Sequence, residues 1–129
     1  LKVRADIEFV AVHDAARPLI APESIDMVFH AAAKHGAAIL ATRITHTLKR
    51  VDPAGRSAET IPRESLWAAQ TPQVARREWM LNAFGSRNGF IATDEAQLLE
   101  RAGYPVRIVE GSPLNLKITT ADDLRAAEA

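Results

Sequence analysis

Short, continuous apolar runs alternate along this chain with stretches of helical period, and that alternation predicts an α/β protein. Glu8-Phe9-Val10-Ala11-Val12 is unbroken and rich in β-branched and aromatic residues, the pattern of a buried parallel strand rather than a half-exposed one. It runs into the polar cluster His13-Asp14-Ala15-Ala16-Arg17-Pro18. A helix follows with its punctuation in place. Pro22 suits the first helical position, Glu23 and Asp26 favour the first turn, Ile25, Val28, Phe29 and Ala32 form one face, and Gly36 stops it behind Lys34 and His35. Ala37 to Thr42 is a second buried-strand candidate. The texture then changes: Ile44 to Val51 alternates loosely, Asp52-Pro53-Ala54-Gly55 is a turn, and Ser57 to Ile61 returns as a strand. This arm, at about 43–62, has few large apolar residues, and a lone hairpin is marginal in water. It is expected to lie on another surface, such as that of a partner chain.

Residues 63–73 read as irregular, with Pro62 and Pro72 as breakers. A helix is predicted from about Arg76 to Phe84, stopping at Gly85, and a further one capped by Thr93, with Asp94 and Glu95 in its first turn. Leu98, Leu99 and Ala102 face inward there and Gly103 ends it. Val106 to Val109 is a strand, and Thr120 with Asp123 has the form of a capping box opening the final helix.

Composition narrows the class. The 129 residues are the size of one domain, and sixteen Lys and Arg balance sixteen Asp and Glu. Zero net charge argues against a nucleic-acid footprint. No apolar run approaches the roughly 18 residues that span a bilayer. The chain has no cysteine, which removes disulfides, zinc–thiolate sites and thiol nucleophiles. It opens on Leu1 rather than Met, so it is expected to be a piece of something longer.

Four places have groups suited to chemistry. Ligands of open α/β sheets bind beyond the carboxyl ends of strands, where His13 to Arg17 lie. Asp14 is a hard oxygen ligand suited to Mg²⁺ and Arg17 a fork for phosphate, or else the two pair and pin the loop. Lys117, in Leu114-Asn115-Leu116-Lys117-Ile118-Thr119, either presents its ammonium to a phosphate or snorkels to solvent. Arg63, Thr71 and Gln73 suit an anionic polyol, or a loop tying off its own backbone. Thr93 stands before Asp94 and Glu95, which point about 100° apart on a helix and make a poor acid–base pair, so capping is its default role. The four histidines lack metal spacing, and neither a nucleophile elbow nor a Gly-rich phosphate loop is present.

Taken in order, these blocks are specific. Val12-His13-Asp14-Ala15-Ala16-Arg17-Pro18, Thr47-Leu48-Lys49, Pro62-Arg63, Leu66-Trp67, Gln70-Thr71-Pro72-Gln73, Thr93-Asp94-Glu95-Ala96, Glu110-Gly111 and Asn115-Leu116-Lys117-Ile118-Thr119 strongly resemble the 2-C-methyl-D-erythritol 4-phosphate cytidylyltransferase family. The resemblance implies a Rossmann-like nucleotidyltransferase fold, a three-layer α/β/α sheet with a protruding β-arm. It implies transfer of a cytidylyl group from CTP to methylerythritol phosphate in non-mevalonate isoprenoid synthesis, with pyrophosphate released. On it, Asp14 holds Mg²⁺ and substrate, and Asp14 and Lys117 take catalytic roles. Arg17, Thr71, Thr93 and Lys117 bind the methylerythritol phosphate or wall its pocket. Thr47 and Arg63 match arm residues that reach into the neighbouring subunit's site in a homodimer. A bacterial cytoplasm is the implied location.

Two departures qualify the match. His46 stands where the family usually has an acid before the arm threonine. The Gly-rich loop with Arg and Lys that cradles the CTP triphosphate in the family is absent, as is a second cytidine-binding segment. The chain is therefore expected to be the C-terminal portion, 1–129, of a single cytidylyltransferase domain, with an incomplete sheet and no activity alone. The competing expectations are a cytidylyltransferase for another polyol phosphate, such as ribitol 5-phosphate, and a non-catalytic dimerisation or ligand-binding module.

Overall fold

A computed structural model describes all 129 residues. Along the chain it has β1 (Phe9–Val12), α1 (Pro22–His35), β2 (Ala37–Arg43), β3 (Leu48–Val51), β4 (Ser57–Ile61), β5 (Trp67–Arg76), α2 (Arg77–Gly85), α3 (Glu95–Arg101), β6 (Arg107–Glu110) and α4 (Ala121–Glu128). Helix α1 has the bounds its punctuation predicts. Pro22 starts it where no N–H is needed, and Gly36, at φ 94°, closes it with a bond from its N–H to the Ala32 carbonyl. A Cβ at Gly36 would also strike the Trp79 ring, so both conformation and space require glycine there.

Four strands form the main sheet in the order β1-β5-β2-β6. Strands β2 and β6 are parallel, whereas β5 runs antiparallel to both β1 and β2. Two expectations are corrected here. The Phe9–Val12 strand pairs antiparallel and is half-buried at the sheet edge, rather than parallel and fully buried. Its apolar run is continuous because Phe9 packs towards the α1 side while Val10 and Val12 pack towards the α2–α3 side. Such a run reports cover on both faces and carries no information about strand direction.

The second correction concerns residues 63–73, read as irregular. From Trp67 onward this segment is β5, an interior strand of ten residues. Pro72 is tolerated because the ladder to β2 is broken at that point. Ile39 faces Gln73 while Ala41 faces Ala69, and β1 pairing ends at Gln73. A proline inside a sheet sits where no ladder bond is asked of it, and this irregularity supplies such a place.

Two buried clusters flank the sheet. One joins Val28 and Ala32 of α1 to Ala38, Leu40 and Val74, and the other joins Met80, Ala83, Leu98 and Leu99 of α2 and α3 to Ala37 and Ala75. The result is three layers, α/β/α, as the resemblance implies. Alanines along β2 let the helices on both faces approach closely, and Ala37 to Ala41 are buried without a break.

The arm forms as predicted, β3 pairing with β4 in a sheet of its own. Asp52 holds its turn by accepting from the N–H groups of Ala54 and Arg56, and cross-strand pairs link Lys49 to Thr60 and Arg50 to Glu59. Neither strand buries a residue fully, and Val51 is 60% exposed. No helix of the chain is long and apolar enough to cross a membrane.

Candidate active site

The loop leaving β1 turns at once, the Arg17 N–H bonding to the Asp14 carbonyl at 3.0 Å. Its backbone is anchored to β5, because the Asp14 N–H donates to Thr71 Oγ1 at 2.9 Å. One carboxylate oxygen then faces two cations: Asp14 Oδ2 lies 3.4 Å from Arg17 Nε and 3.6 Å from Lys117 Nζ. Arg17 is mostly buried, at 12% side-chain exposure, and its guanidinium also donates to the Asn115 carbonyl at 2.7 Å. Asp14 and Lys117 remain open to solvent at 36% and 49%. The pairing of Asp14 with Arg17 thus exists, but it does not exhaust the pair. Two positive groups against one carboxylate leave a local excess of positive charge, the condition for receiving an anion. Lys117 points to Asp14 rather than simply snorkelling away.

The backbone just beyond Lys117 fixes its position. Ile118 N–H bonds to the Ala16 carbonyl at 2.8 Å, and Thr120 caps α4 in a complete capping box with Asp123. The Thr119 N–H and hydroxyl and the Thr120 N–H converge on Asp123 Oδ2 at 2.9 to 3.0 Å. These bonds, the Thr119 backbone N–H first, hold the Asp123 carboxyl below the ordinary aspartate range. Its stabilisation of α4 is complete where an unfolded aspartate is ionised and is lost as pH falls through the lowered value. On acid titration the Thr119 and Thr120 amides are therefore expected to lose exchange protection below about pH 4. Asp123→Asn should abolish that pH dependence, and an α4 start insensitive to both acid and this substitution would contradict the assignment.

Behind the charged groups lies a network of buried amides, of which sequence reasoning singled out Gln73 but not Gln70 or Asn115. Gln70 Nε2 donates to the Ser112 carbonyl at 2.9 Å, and Asn115 Nδ2 donates to the Thr71 carbonyl at 2.9 Å and to Gln70 Oε1 at 3.3 Å. Gln73 Nε2 donates to Asp94 Oδ2 at 3.0 Å and its Oε1 accepts from the Ala96 N–H at 2.8 Å. The irregular stretch of β5 thereby fastens the 112–118 segment on one side and the start of α3 on the other. The only sequence signal was the polar run Gln70-Thr71-Pro72-Gln73 inside what proved to be a strand.

Thr93 does not cap α3. Asp94 does, its carboxylate accepting from the Gln97 N–H at 2.9 Å, while the Gln97 side chain accepts from the Thr93 N–H at 2.7 Å. Both residues are competent caps, and Gln97 reaching back over the first turn sets the start one residue later. Thr93 is exposed, on the rim of an open pocket that Phe84, Phe90 and Leu98 also line. It joins the Asp14 cluster only through Asp94, Gln73 and β5.

Thr47 and Arg63 lie together at the base of the arm, lining one pocket with Thr60, Ile61, Pro62 and Glu64. No hydrogen bond or ion pair links them to Asp14, Arg17 or Lys117 within this chain. His46 is exposed beside Thr47 and makes no side-chain hydrogen bond.

The family model that matches this sequence, 2-C-methyl-D-erythritol 4-phosphate cytidylyltransferase, matches residues 1–129. The chain belongs to the 2-C-methyl-D-erythritol 4-phosphate cytidylyltransferase family. It is 47% identical over 131 aligned positions to the protein of that name from Bacillus licheniformis, covering all of this chain and 56% of the relative. To its namesake in Symbiobacterium thermophilum it is 47% identical over 121 residues, 92% of this chain and 51% of the relative. The crystal structure of the Thermus thermophilus cytidylyltransferase superposes with a TM-score of 0.89 at 36% identity, over 96% of this chain and 62% of that one. The fold is thus that of the family's nucleotidyltransferases. The chain spans about half the length of the relatives it matches.

A metal at this site would meet one carboxylate. No group of three or more His, Cys, Asp or Glu side chains gathers anywhere in the chain. Asp14 alone, flanked by two cations, does not suit a metal held by protein ligands only. It does suit Mg²⁺, which keeps several waters and is bound through one or two carboxylates plus substrate phosphates.

Proposed function

We propose that residues 1–129 are the C-terminal portion of a cytidylyltransferase domain that transfers the cytidylyl group of CTP to 2-C-methyl-D-erythritol 4-phosphate. The observation that carries this reading is the Asp14 carboxylate set between Arg17 and Lys117 at the end of β1, in a chain of this family. In the reaction a phosphate oxygen of the acceptor bonds to the α-phosphorus of CTP as the bond to the bridging oxygen breaks, and pyrophosphate leaves. Two anions must be brought together in line, so positioning and charge neutralisation are the protein's work. Arg17, rigid and forked, and Lys117, half-open, hold the acceptor phosphate. Thr71 and Thr93 wall the pocket, the first from β5 and the second from its rim. Asp14 would hold a Mg²⁺ ion, which when bound would supply charge neutralisation at the triphosphate. Thr47 and Arg63, gathered at the base of an arm with nothing of its own to lie on, complete the site of a twofold-related neighbour. The residues that cradle CTP belong to the part of the relatives this chain does not span. A bacterial cytoplasm is the setting we assign, in keeping with the bacterial relatives.

The test compares this chain with a version extended to the length of its relatives. Pyrophosphate release is measured with CTP, Mg²⁺ and either methylerythritol phosphate or ribitol 5-phosphate, beside light scattering for oligomeric state. The extended protein is expected to be a dimer and to use methylerythritol phosphate, and the 129-residue chain to stay at background. Turnover by the 129-residue chain would overturn its standing as a portion of the domain. Preference for ribitol 5-phosphate, or no turnover by the extended protein, would overturn the assigned reaction.

A further inference from the structure

The His13 side chain is exposed, yet the site engages both of its ring nitrogens. Nε2 lies 3.0 Å from the Arg17 carbonyl oxygen, an atom that only accepts, so Nε2 has the hydrogen. Nδ1 of the neutral ring is then a bare acceptor, and it lies 3.0 Å from Thr71 Oγ1. The single hydroxyl proton of Thr71 goes to it. Thr71 Oγ1 is left with lone pairs alone to offer, and the Asp14 N–H takes one of them at 2.9 Å. One backbone carbonyl thus sets the polarity of the whole chain of bonds, from Asp14 N–H to Thr71, from Thr71 O–H to His13, and from His13 Nε2–H to Arg17. Thr71 is only 6% exposed, and its proton is already committed.

We propose that His13 is a positioning residue: held as the Nε2–H tautomer, it orients the Thr71 hydroxyl as the acceptor that fixes the Asp14 backbone, and so aims the Asp14 carboxylate between Arg17 and Lys117. Thr71 then acts on bound substrate through Asp14 and not by donating to a phosphate. Ring tautomers tied by one bond at each nitrogen are a recurring way of fixing a ligand group from behind.

The first arm of the test uses the extended protein and needs no activity. Long-range ¹H–¹⁵N correlation spectra are recorded at alkaline pH, where imidazoles are neutral. His13 is expected to show a protonated Nε2 and a hydrogen-bonded Nδ1, whereas His30, His35 and His46, all exposed and without ring partners, serve as free-imidazole references in the same spectrum. Thr71→Val should move the His13 Nδ1 signal to the reference position, and Thr71→Ser should not. An Nδ1–H pattern, or a wild-type His13 signal matching the three references, overturns the proposal without recourse to any variant.

The second arm rests on the reading of Asp14 under Proposed function and uses the extended protein. His13→Ala is expected to lower kcat, or raise the Mg²⁺ needed for half-maximal rate, about 10–100-fold. His13→Asn, which places an amide oxygen near the Nδ1 position, should recover part of that loss. Unchanged kcat and Mg²⁺ requirement in His13→Ala overturns the functional half of the proposal. If the unsubstituted extended protein transfers no cytidylyl group, the assigned reaction falls while the spectra still decide the tautomer.

Discussion

Lys117→Ala, in a protein bearing this chain at the full length of its relatives, is expected to slow cytidylyl transfer about 10²–10³-fold and to leave thermal unfolding unchanged. The ammonium stands 3.6 Å from Asp14 Oδ2 and half in solvent, so it belongs to the open side of the cluster rather than to the core. A unit charge about 4 Å from a phosphate oxygen contributes about 4 kcal/mol at an effective dielectric of 20. Screening at a half-exposed side chain lowers this, which places the effect toward the bottom of the range. Stability should move by less than about 0.5 kcal/mol, as for other surface changes, because the pair with Asp14 is solvated on both sides. The measurement is kcat and KM for the acceptor phosphate together with a melting curve. Loss confined to KM would mean that Lys117 holds the ground state and the transition state equally. A variant with at least half of wild-type activity would remove Lys117 from the site.

Gln73→Leu is expected to cost about 2–4 kcal/mol of folding stability, a large share of the 5–15 kcal/mol typical of a domain. Gln73 is 1% exposed, and leucine fills its volume without any of its bonds. The Ala96 N–H, at the first turn of α3, would be left buried with no acceptor, and Asp94 would lose a donor. Leaving polar groups buried and unmet is the expensive outcome, more so than losing the bonds themselves. Urea unfolding of the protein at the full length of its relatives, with the slope compared between variants, measures the effect. Gln73→Glu separates shape from charge: it keeps the acceptor for Ala96 but sets a carboxylate against Asp94, so it too should destabilise. A leucine variant within about 0.5 kcal/mol of the parent, the spread of surface substitutions, would show that the amide network does not hold α3 to β5.

Local chemistry made α1, β2 and the arm's turn and return strand legible to within a residue or so, while the arm's first strand starts at Leu48 rather than at Ile44. Pro22 and Gly36 act on their own backbone, and the Asp52-Pro53-Ala54-Gly55 turn is specified by the four residues that form it. β5 was not legible. Pro62 and Pro72 carry a true local message, that regular pairing is interrupted, but only the neighbouring strands reveal that the interruption lies inside a central strand. Strand direction was hidden for the same reason, since Phe9, Val10 and Val12 record which faces are covered and not which partner covers them. Of the site, Asp14, Arg17 and Lys117 were visible as residue types at a strand end and before a cap, and the structure sets both cations within 4 Å of the Asp14 carboxylate. Gln73 was visible only as a polar group of a loop, and Gln70 and Asn115 could not be placed, because an amide side chain is equally at home in water and becomes structural only through partners distant in sequence.

The position of β5 has a consequence for how the molecule assembles. Chain order is β1, β2, β5, yet β5 lies between the other two, so β1 and β2 have no direct ladder and must wait for a strand made later. Their registry is a long-range event, which slows folding relative to helical neighbours and makes it all-or-none across the sheet. The same insertion delivers Thr71 beneath Asp14 and Gln73 beneath α3 in one step. A nascent chain that has completed β1, α1 and β2 therefore has the residues of the anion cluster's first half but no geometry for them. Asp14 takes up its geometry with the last interior strand, Lys117 joins it only from beyond β6, and the amides of β1, β5 and the α3 start should exchange as one unit.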